Sequence, residues 1–412
     1  MFRIALFGGT FDPFHLAHLR MVEHIWSLQI YDQIIVMPTG PSPHKERRIS
    51  FAGYRYESAR LAVREFEEKV SVSSEEITSR GASYTIFTVK KLRDKFISLC
   101  GDAVKIDLLI GSDSLQTVEK WYQADLLLRK VGLLVAVRNK ELIKEIRLKA
   151  DSLRQKYGTE IRLLELEPLT ISSTEIRGLL QANESAEHLL PASVSSFLTQ
   201  NRVYSFVEAM SELSDESWDY LQSLEQIQWP LLDEERRVHV LNVMQYAVEL
   251  ARLHDVDLRK TAIAALLHDI AKYLPLKQQY EYAGDFFEQL NDKIVHAPAS
   301  ANFAREQLNI EDEEIWAAIC YHTTSHPQNS DLGKIIYLAD KIEYGREYKS
   351  LPPIRRMAEK DLDRAMLLCM KEVFVALSRQ GFPTHPYSKA HYESIIKKYA
   401  SDTDTTLQKE DR

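Results

Sequence analysis

Four histidines and two aspartates in the second half of a 412-residue chain each sit in or beside an apolar stretch: His239, His268, Asp269, His296, His322 and Asp340. Two of them are neighbours, within AALLHDIAKYL (Ala264–Leu274). A buried carboxylate is costly unless it is paired or coordinated. One buried histidine is more often a packed core residue than a ligand, and a single His–Asp pair reads equally well as a satisfied polar pair. Six such groups in one small helical region are hard to satisfy independently, and metal ligation offers each a partner. Imidazole with carboxylate suits iron, manganese or zinc better than magnesium.

A second constellation lies near the N-terminus, in GGTFDPFHLAH (Gly8–His18). Two glycines after an apolar strand-like run let a ligand approach the backbone closely. His15 and His18 share one face of a following helix, in its first turns, where the helix dipole favours a phosphate. Two glycines alone do not separate this from a glycine-rich turn with two surface histidines. ISSTEIR (Ile171–Arg177) has the same double character. Ser172 and Glu175 fit a capping box. A helix start bearing Ser173 and Thr174, with Arg177 one turn on, is also an anion cradle.

The elements that must position these residues change character along the chain. Phe2–Gly9, Tyr31–Gly40, Ile106–Asp113 and Val131–Asn139 are short apolar runs separated by helix-like segments. The pattern predicts a Rossmann-like α/β domain, a parallel sheet with helices on both faces and ligands beyond the strands' carboxyl ends. Near residue 205 the strand signal stops. Helical spacing recurs in Val238–Leu253, Thr261–Leu274, Glu313–Tyr321, Lys334–Ile342 and Leu362–Leu377, predicting an all-α domain. The expected division is 1–205 and 206–400, with 206–233 a linker or a first helix and 401–412 a disordered tail.

With 52 basic against 60 acidic residues and a net charge of −8, the chain is not expected to bind nucleic acid or an anionic membrane. A local basic pocket for a small phosphorylated substrate remains compatible. Three scattered cysteines give no disulfide framework or zinc motif. No apolar run reaches the roughly 18 residues of a membrane span. The expectation is a soluble cytoplasmic protein, with a homo-oligomer left open.

The Gly8–His18 string resembles the signature of the nucleotidyltransferase superfamily, in particular bacterial nicotinate-mononucleotide adenylyltransferase, with Ala17 where glycine is usual. PSPHKERR resembles that family's substrate loop, and ASYTIFTV its SYT segment, with Phe87 where aspartate is common. GSDSLQTVEKW resembles its GxD…W stretch, and ISSTEIR its ATP-phosphate grip. The resemblance implies ATP and substrate contacts from Gly8, Gly9, Thr10, Phe11, His44, Lys45, Ser83, Tyr84, Thr85, Gly111, Asp113, Trp121, Arg138, Ile171, Ser172, Ser173, Thr174 and Arg177. It implies adenylyl transfer from ATP, with Mg²⁺, to nicotinate mononucleotide. His15, His18 and Arg177 would then stabilise phosphate charge, His18 foremost.

The second-half series H…HD…H…H…D, with LLHDIAKYLP, YHTTS and KIIYLADKIEYGR around it, resembles the HD superfamily of metal-dependent phosphohydrolases. Within that superfamily it is most similar to the symmetrical diadenosine-tetraphosphatases. The resemblance implies one metal held by His239, His268, Asp269 and Asp340 and a second by His296 and His322, with Asp269 bridging and acting in catalysis. Lys272 and Arg346 become phosphate contacts. His326 is either an extra ligand or a surface group; His254 and His391 are structural or surface. Two alternatives stay open for this domain: hydrolysis of another nucleotide, or nucleotide sensing without catalysis.

Overall fold

The computed structural model describes residues 1–40, 48–66, 68–79, 84–137, 143–165, 170–205, 207–284 and 291–410, the side chains of 207–208 and 401–410 excepted. The chain forms two compact units. The first comprises Met1–Thr199 and Val203–Ser205; the second comprises Gln200–Arg202 and the residues from Phe206 on.

The first unit is built on a six-stranded parallel sheet: β1 (Phe2–Gly9), β2 (Gln33–Pro38), β3 (Val70–Val72), β4 (Val104–Gly111), β5 (Gly132–Val137) and β6 (Ile161–Glu165). Their order is β3-β2-β1-β4-β5-β6, the doubly wound order whose switch point lies between β1 and β4. Phe7 is in register with Leu109 there, so Gly8–Gly9 and Gly111 finish the two strands that flank the switch. The central strands read as unbroken apolar runs because both faces are covered: Ile4, Ala5, Leu133, Leu134, Val135 and Ala136 are all at most 1% exposed. The sequence pattern exposes four of these strands. β3 has only three residues, and edge strand β6 (IRLLE) carries charges at Arg162 and Glu165, so neither stands out as an apolar run.

The second unit is helical. The acidic segment after residue 206 forms the helices Val207–Ser211 and Asp215–Gln228, the latter capped by Ser214 Oγ, which accepts from the Ser217 amide at 3.1 Å. The helices Glu234–Leu253, Leu258–Leu267, Glu313–Cys320 and Leu362–Arg379 start on aspartate caps at Asp233, Asp257, Asp312 and Asp361; Asp331–Ile342 starts on Ser330. The helix predicted over Thr261–Leu274 is shorter than its apolar period. It stops at Leu267 and continues as tight turns, with Ile270 N–H donating to Leu267 O and Lys272 N–H to Asp269 O. The period runs on because Ile270 and Ala271 in the turn are themselves fully buried. His268 and Asp269 therefore stand at a helix end, not inside a helix. The last helix is Pro386–Glu410. Cys100, Cys320 and Cys369 are free thiols, and among the described residues no helix is long and apolar enough to cross a membrane.

Candidate active sites

In the first unit, β1 ends in Gly8–Gly9 and the chain turns through Thr10–Phe14 into the helix Leu16–Ser27, with His15 at its N-cap. The two glycines serve different ends. A Cβ on Gly9 would lie 2.8 Å from the ring of Phe11, a residue held at φ +50°, so packing within the loop requires that glycine. A Cβ on Gly8 or on Gly111 would meet no described atom within 4 Å. Neither position has positive φ, so neither is glycine for the fold's sake; both leave open space beside the switch point.

His15 and His18 stack with ring centroids 3.6 Å apart, and the His15 amide donates to His18 Nδ1 at 3.2 Å. A backbone amide can only donate, so neutral His18 carries its proton on Nε2, the form that can donate to a phosphate oxygen. Arg177 joins the two phosphate-type elements. Its Nη1 donates to Asp12 O at 2.7 Å and its Nη2 to Thr174 Oγ1 at 3.1 Å. The helix Ser173–Gln181 starts on Ser172, whose Oγ accepts from Thr174 N–H at 3.2 Å. The expected capping box differs in detail: the serine closes on the second helical amide, not on that of Glu175.

Sequence reasoning missed the groups that brace this loop. Asp12 is 2% exposed, and its Oδ1 accepts from Tyr204 OH at 2.9 Å and from Ser50 Oγ. Burial, followed by the Asp12 charge, holds the Tyr204 phenol far above its ordinary range. Arg55, 1% exposed, donates to Thr10 O at 3.0 Å, Thr39 O at 2.8 Å and Ser50 O at 2.9 Å. Its local sequence gives no sign of this. Asp113 is exposed in the first turn of the helix that follows Gly111, and Trp121 packs partly against the sheet core. Tyr84 stacks on Tyr122 at 4.3 Å, and Phe87 packs against both on an exposed aromatic surface, with Thr85 beginning the helix beside it. His44, Lys45, Ser83 and Arg138 lie outside the described residues.

In the second unit the six predicted ligands converge. Ligand atoms of His239, His268 and Asp269 lie within 4.8 Å of one another, and so do those of Asp269, His296 and His322. Asp269 is common to both groups. His239 Nε2 is also 3.0 Å from Asp340 Oδ1. Local structure aims the rings. His268 and His322 each follow a helix end and set Nδ1 against the carbonyl three residues back, Ala265 O at 2.6 Å and Ile319 O at 2.7 Å. A carbonyl only accepts, so Nδ1 carries the proton in each and Nε2 faces the cluster. His239 Nδ1 is 3.2 Å from the buried Glu343 Oε1, the carboxylate–histidine arrangement that fixes a metal-binding tautomer.

Asp269 is 1% exposed. Around it stand Arg236 Nη1 (2.8 Å), His296 Nε2 (3.2 Å), His322 Nε2 (3.4 Å), His268 Nε2 (3.5 Å) and Lys272 Nζ (3.6 Å). Burial alone would raise its pKa, but the His268 charge and the surrounding donors hold it well below the usual carboxylate range. Burial likewise opposes charge on His268, yet the Asp269 and Asp340 carboxylates outweigh it and raise its pKa to about 9. Burial lowers His322 to about 4 and pulls His296 down. Despite these approaches, His268 Nε2 and Asp269 Oδ1 are buried without a hydrogen bond of proper geometry. Orphaned buried polar atoms are costly; divalent metal among four imidazoles and two carboxylates would satisfy them, so the donor set fits a metal.

Lys272 and Arg346 both stand beside this cluster: Lys272 Nζ is 3.1 Å from His296 Nε2, and Arg346 Nη2 donates to Asp340 O at 3.3 Å. His326 stacks on Tyr321 outside it, His254 bonds Ala358 O, and the buried His391 pairs with Ser325 Oγ at 2.7 Å. Arg236 and Glu343 are the additions that sequence reasoning missed.

The Cytidylyltransferase-like family matches residues 6–179 and the HD domain family matches residues 236–345. Fold and site thus define a nucleotidyltransferase unit followed by an HD-type unit, a fold that binds divalent metal. The chain is 34% identical over 172 residues to the symmetrical bis(5′-nucleosyl)-tetraphosphatase of Halalkalibacterium halodurans, covering 40% of this chain and 92% of that one. It is 34% identical over 209 residues to a probable nicotinate-nucleotide adenylyltransferase of Clostridium botulinum, covering 50% and 98%. Among relatives that span nearly everything, a probable nicotinate-nucleotide adenylyltransferase/Ap4A hydrolase of Mycoplasma genitalium is 26% identical over 380 residues, 90% of this chain and 97% of its own. The chain belongs to the nicotinate-nucleotide adenylyltransferase family and to the symmetrical bis(5′-nucleosyl)-tetraphosphatase family, joined in one polypeptide.

Proposed function

We propose that this is a bifunctional cytoplasmic enzyme of nucleotide metabolism. Its first unit transfers an adenylyl group from ATP to nicotinate mononucleotide, giving nicotinate adenine dinucleotide and pyrophosphate. Its second unit hydrolyses diadenosine tetraphosphate symmetrically to two ADP. Both act on small nucleotides, without nucleic acid or membrane.

In the transferase, the 5′-phosphate oxygen of the mononucleotide forms the new bond to the α-phosphorus of ATP, and pyrophosphate leaves. The substrate supplies the nucleophile, so the protein's part is positioning and charge stabilisation. Open space at Gly8 and Gly111 admits the nucleotide backbone. His18 Nε2–H donates to a phosphate oxygen beside His15. Arg177, fixed between Asp12 O and Thr174 Oγ1, presents a positive charge at the start of the ISST helix. Mg²⁺ accompanying ATP would neutralise the triphosphate.

In the hydrolase, His239, His268, Asp269 and Asp340 would hold one metal and His296 and His322 a second, with Asp269 shared; iron, manganese or zinc suits these ligands. Bound metal makes water nucleophilic near neutral pH and neutralises phosphate charge. Lys272, Arg346 and Arg236 bring positive charge to the polyphosphate. The observation that carries this half is the place of Asp269 in both three-ligand groups. The full chain, supplied with Mn²⁺ and a nucleotide panel, is expected to release ADP as the sole product from diadenosine tetraphosphate and to prefer nicotinate over nicotinamide mononucleotide with ATP. AMP with ATP as products, or selective turnover of a mononucleotide by the second unit, would overturn the hydrolase reading. Equal rates on both pyridine mononucleotides would overturn the transferase preference.

A further inference from the structure

Three successive residues, Gln200–Arg202, belong with the second unit although the residues on both sides of them belong with the first. They lie 34 or more positions before residue 236, where the HD match begins. All three reach one short segment, the turn that follows the helix Asp331–Ile342. Gln200 Nε2 donates to Glu347 Oε1 at 3.4 Å. The Arg202 guanidinium lies 5.0 Å over the ring of Tyr344. Asn201 is buried, and its Oδ1 accepts from Asn242 Nδ2 at 2.7 Å. A Cβ built on Gly345 would meet that Asn242 nitrogen at 3.0 Å, Glu343 Oε2 at 3.1 Å and Asn201 Oδ1 at 3.4 Å, so the three side chains close around one glycine.

The turn they hold contains Glu343. Its Oε2 accepts from the Gly345 amide, and its Oε1 stands 3.2 Å from His239 Nδ1. Arg202 makes these approaches from φ +49°, a left-handed conformation that a non-glycine residue adopts at a cost. Resting on the metal-site reading above, we propose that Asn201, with Gln200 and Arg202 beside it, is a positioning element of the hydrolase centre. It seats the Glu343–Gly345 turn so that Glu343 fixes His239 in its metal-binding tautomer. The working hydrolase then begins near residue 200, not at the start of the HD match.

The test is Mn²⁺ affinity of the full chain by titration calorimetry, with the thermal midpoint of the chelated protein read alongside. Outer-shell partners are worth about 10–100-fold in metal affinity. Glu343→Gln is expected to weaken Mn²⁺ about tenfold, and Asn201→Ala about fivefold at an unchanged midpoint, a share of the same effect. If Asn201 acts through Glu343, the double variant binds Mn²⁺ no worse than Glu343→Gln alone. A loss below about threefold in Asn201→Ala, or full additivity in the double variant, overturns the proposal. Should Asn201→Ala lower the midpoint, Asn201→Ser is measured by the same criteria. A wild-type chain that binds Mn²⁺ but releases no ADP from diadenosine tetraphosphate would refute the hydrolytic assignment and leave this inference standing.

Discussion

Asp269→Asn is the most informative single change, because it keeps the shape of the side chain while removing its charge and one acceptor oxygen. Five nitrogens lie within 3.6 Å of this 1%-exposed carboxylate, those of Arg236, His296, His322, His268 and Lys272. Removing one partner of a buried ion pair costs about 3–5 kcal/mol, since the other charge stays buried without compensation. For a unit of some 200 residues that corresponds to a fall in thermal midpoint of roughly 10 °C. The measurement is made on chelated protein, so that metal loss does not contribute. A pH signature accompanies it. His268 titrates at about 9 in the folded chain, above its ordinary 6.5, because Asp269 and Asp340 outweigh its burial. A raised pKa contributes stability that is complete below pH 6.5 and disappears as pH climbs towards 9. The chelated wild type should therefore lose stability between pH 7 and 9, and Asp269→Asn should lose much less over that interval. The variant should also fail to bind Mn²⁺ and release no ADP. A chelated variant that melts within about 1 °C of wild type across that range would refute the charge balance assigned to the centre.

Metal binding must displace the proton that His268 holds on Nε2, so at pH 8 Mn²⁺ binding should release about one proton. Calorimetry in buffers of different ionisation enthalpy measures this, and a release near zero contradicts the assignment. In the first unit, Gly8→Ala adds a methyl group that meets no described atom within 4 Å. The thermal midpoint should stay at the wild-type value while the KM for ATP rises about tenfold or more; an unchanged KM would show that no ligand approaches there.

The two sites differ in how far spacing along the chain betrays them. The glycine loop is local: strand, turn, both histidines and the helix start lie within Phe2–Ser27, and one string carries the geometry. The metal ligands come from five separate segments, yet they stand out because each interrupts an apolar stretch that burial explains. The residues that brace both sites are hidden for the opposite reason. Arg236 sits in DEERR, which looks like a solvated helix start capped by Asp233, and only folding reveals that its guanidinium reaches Asp269. Glu343 lies in the charged run KIEYGR, yet it is 3% exposed. Asp12 is adjacent to the glycines, but its partner Tyr204 is 192 residues away.

Apolar periodicity misplaced the His268–Asp269 pair for a related reason. Burial sustains the pattern to Leu274, whereas the helix ends at Leu267. That ending serves the chemistry. At these helix ends the carbonyls of Ala265 and Ile319 accept Nδ1–H from His268 and His322, Ile319 O taking the His322 amide at 3.4 Å as well. A histidine inside a helix, such as His239, needs a partner from elsewhere to set its tautomer, and Glu343 is that partner. Placing two ligands just past two helix ends makes the backbone itself the partner that orients their rings, and leaves Asp269, beside one of them, to join both groups of ligands.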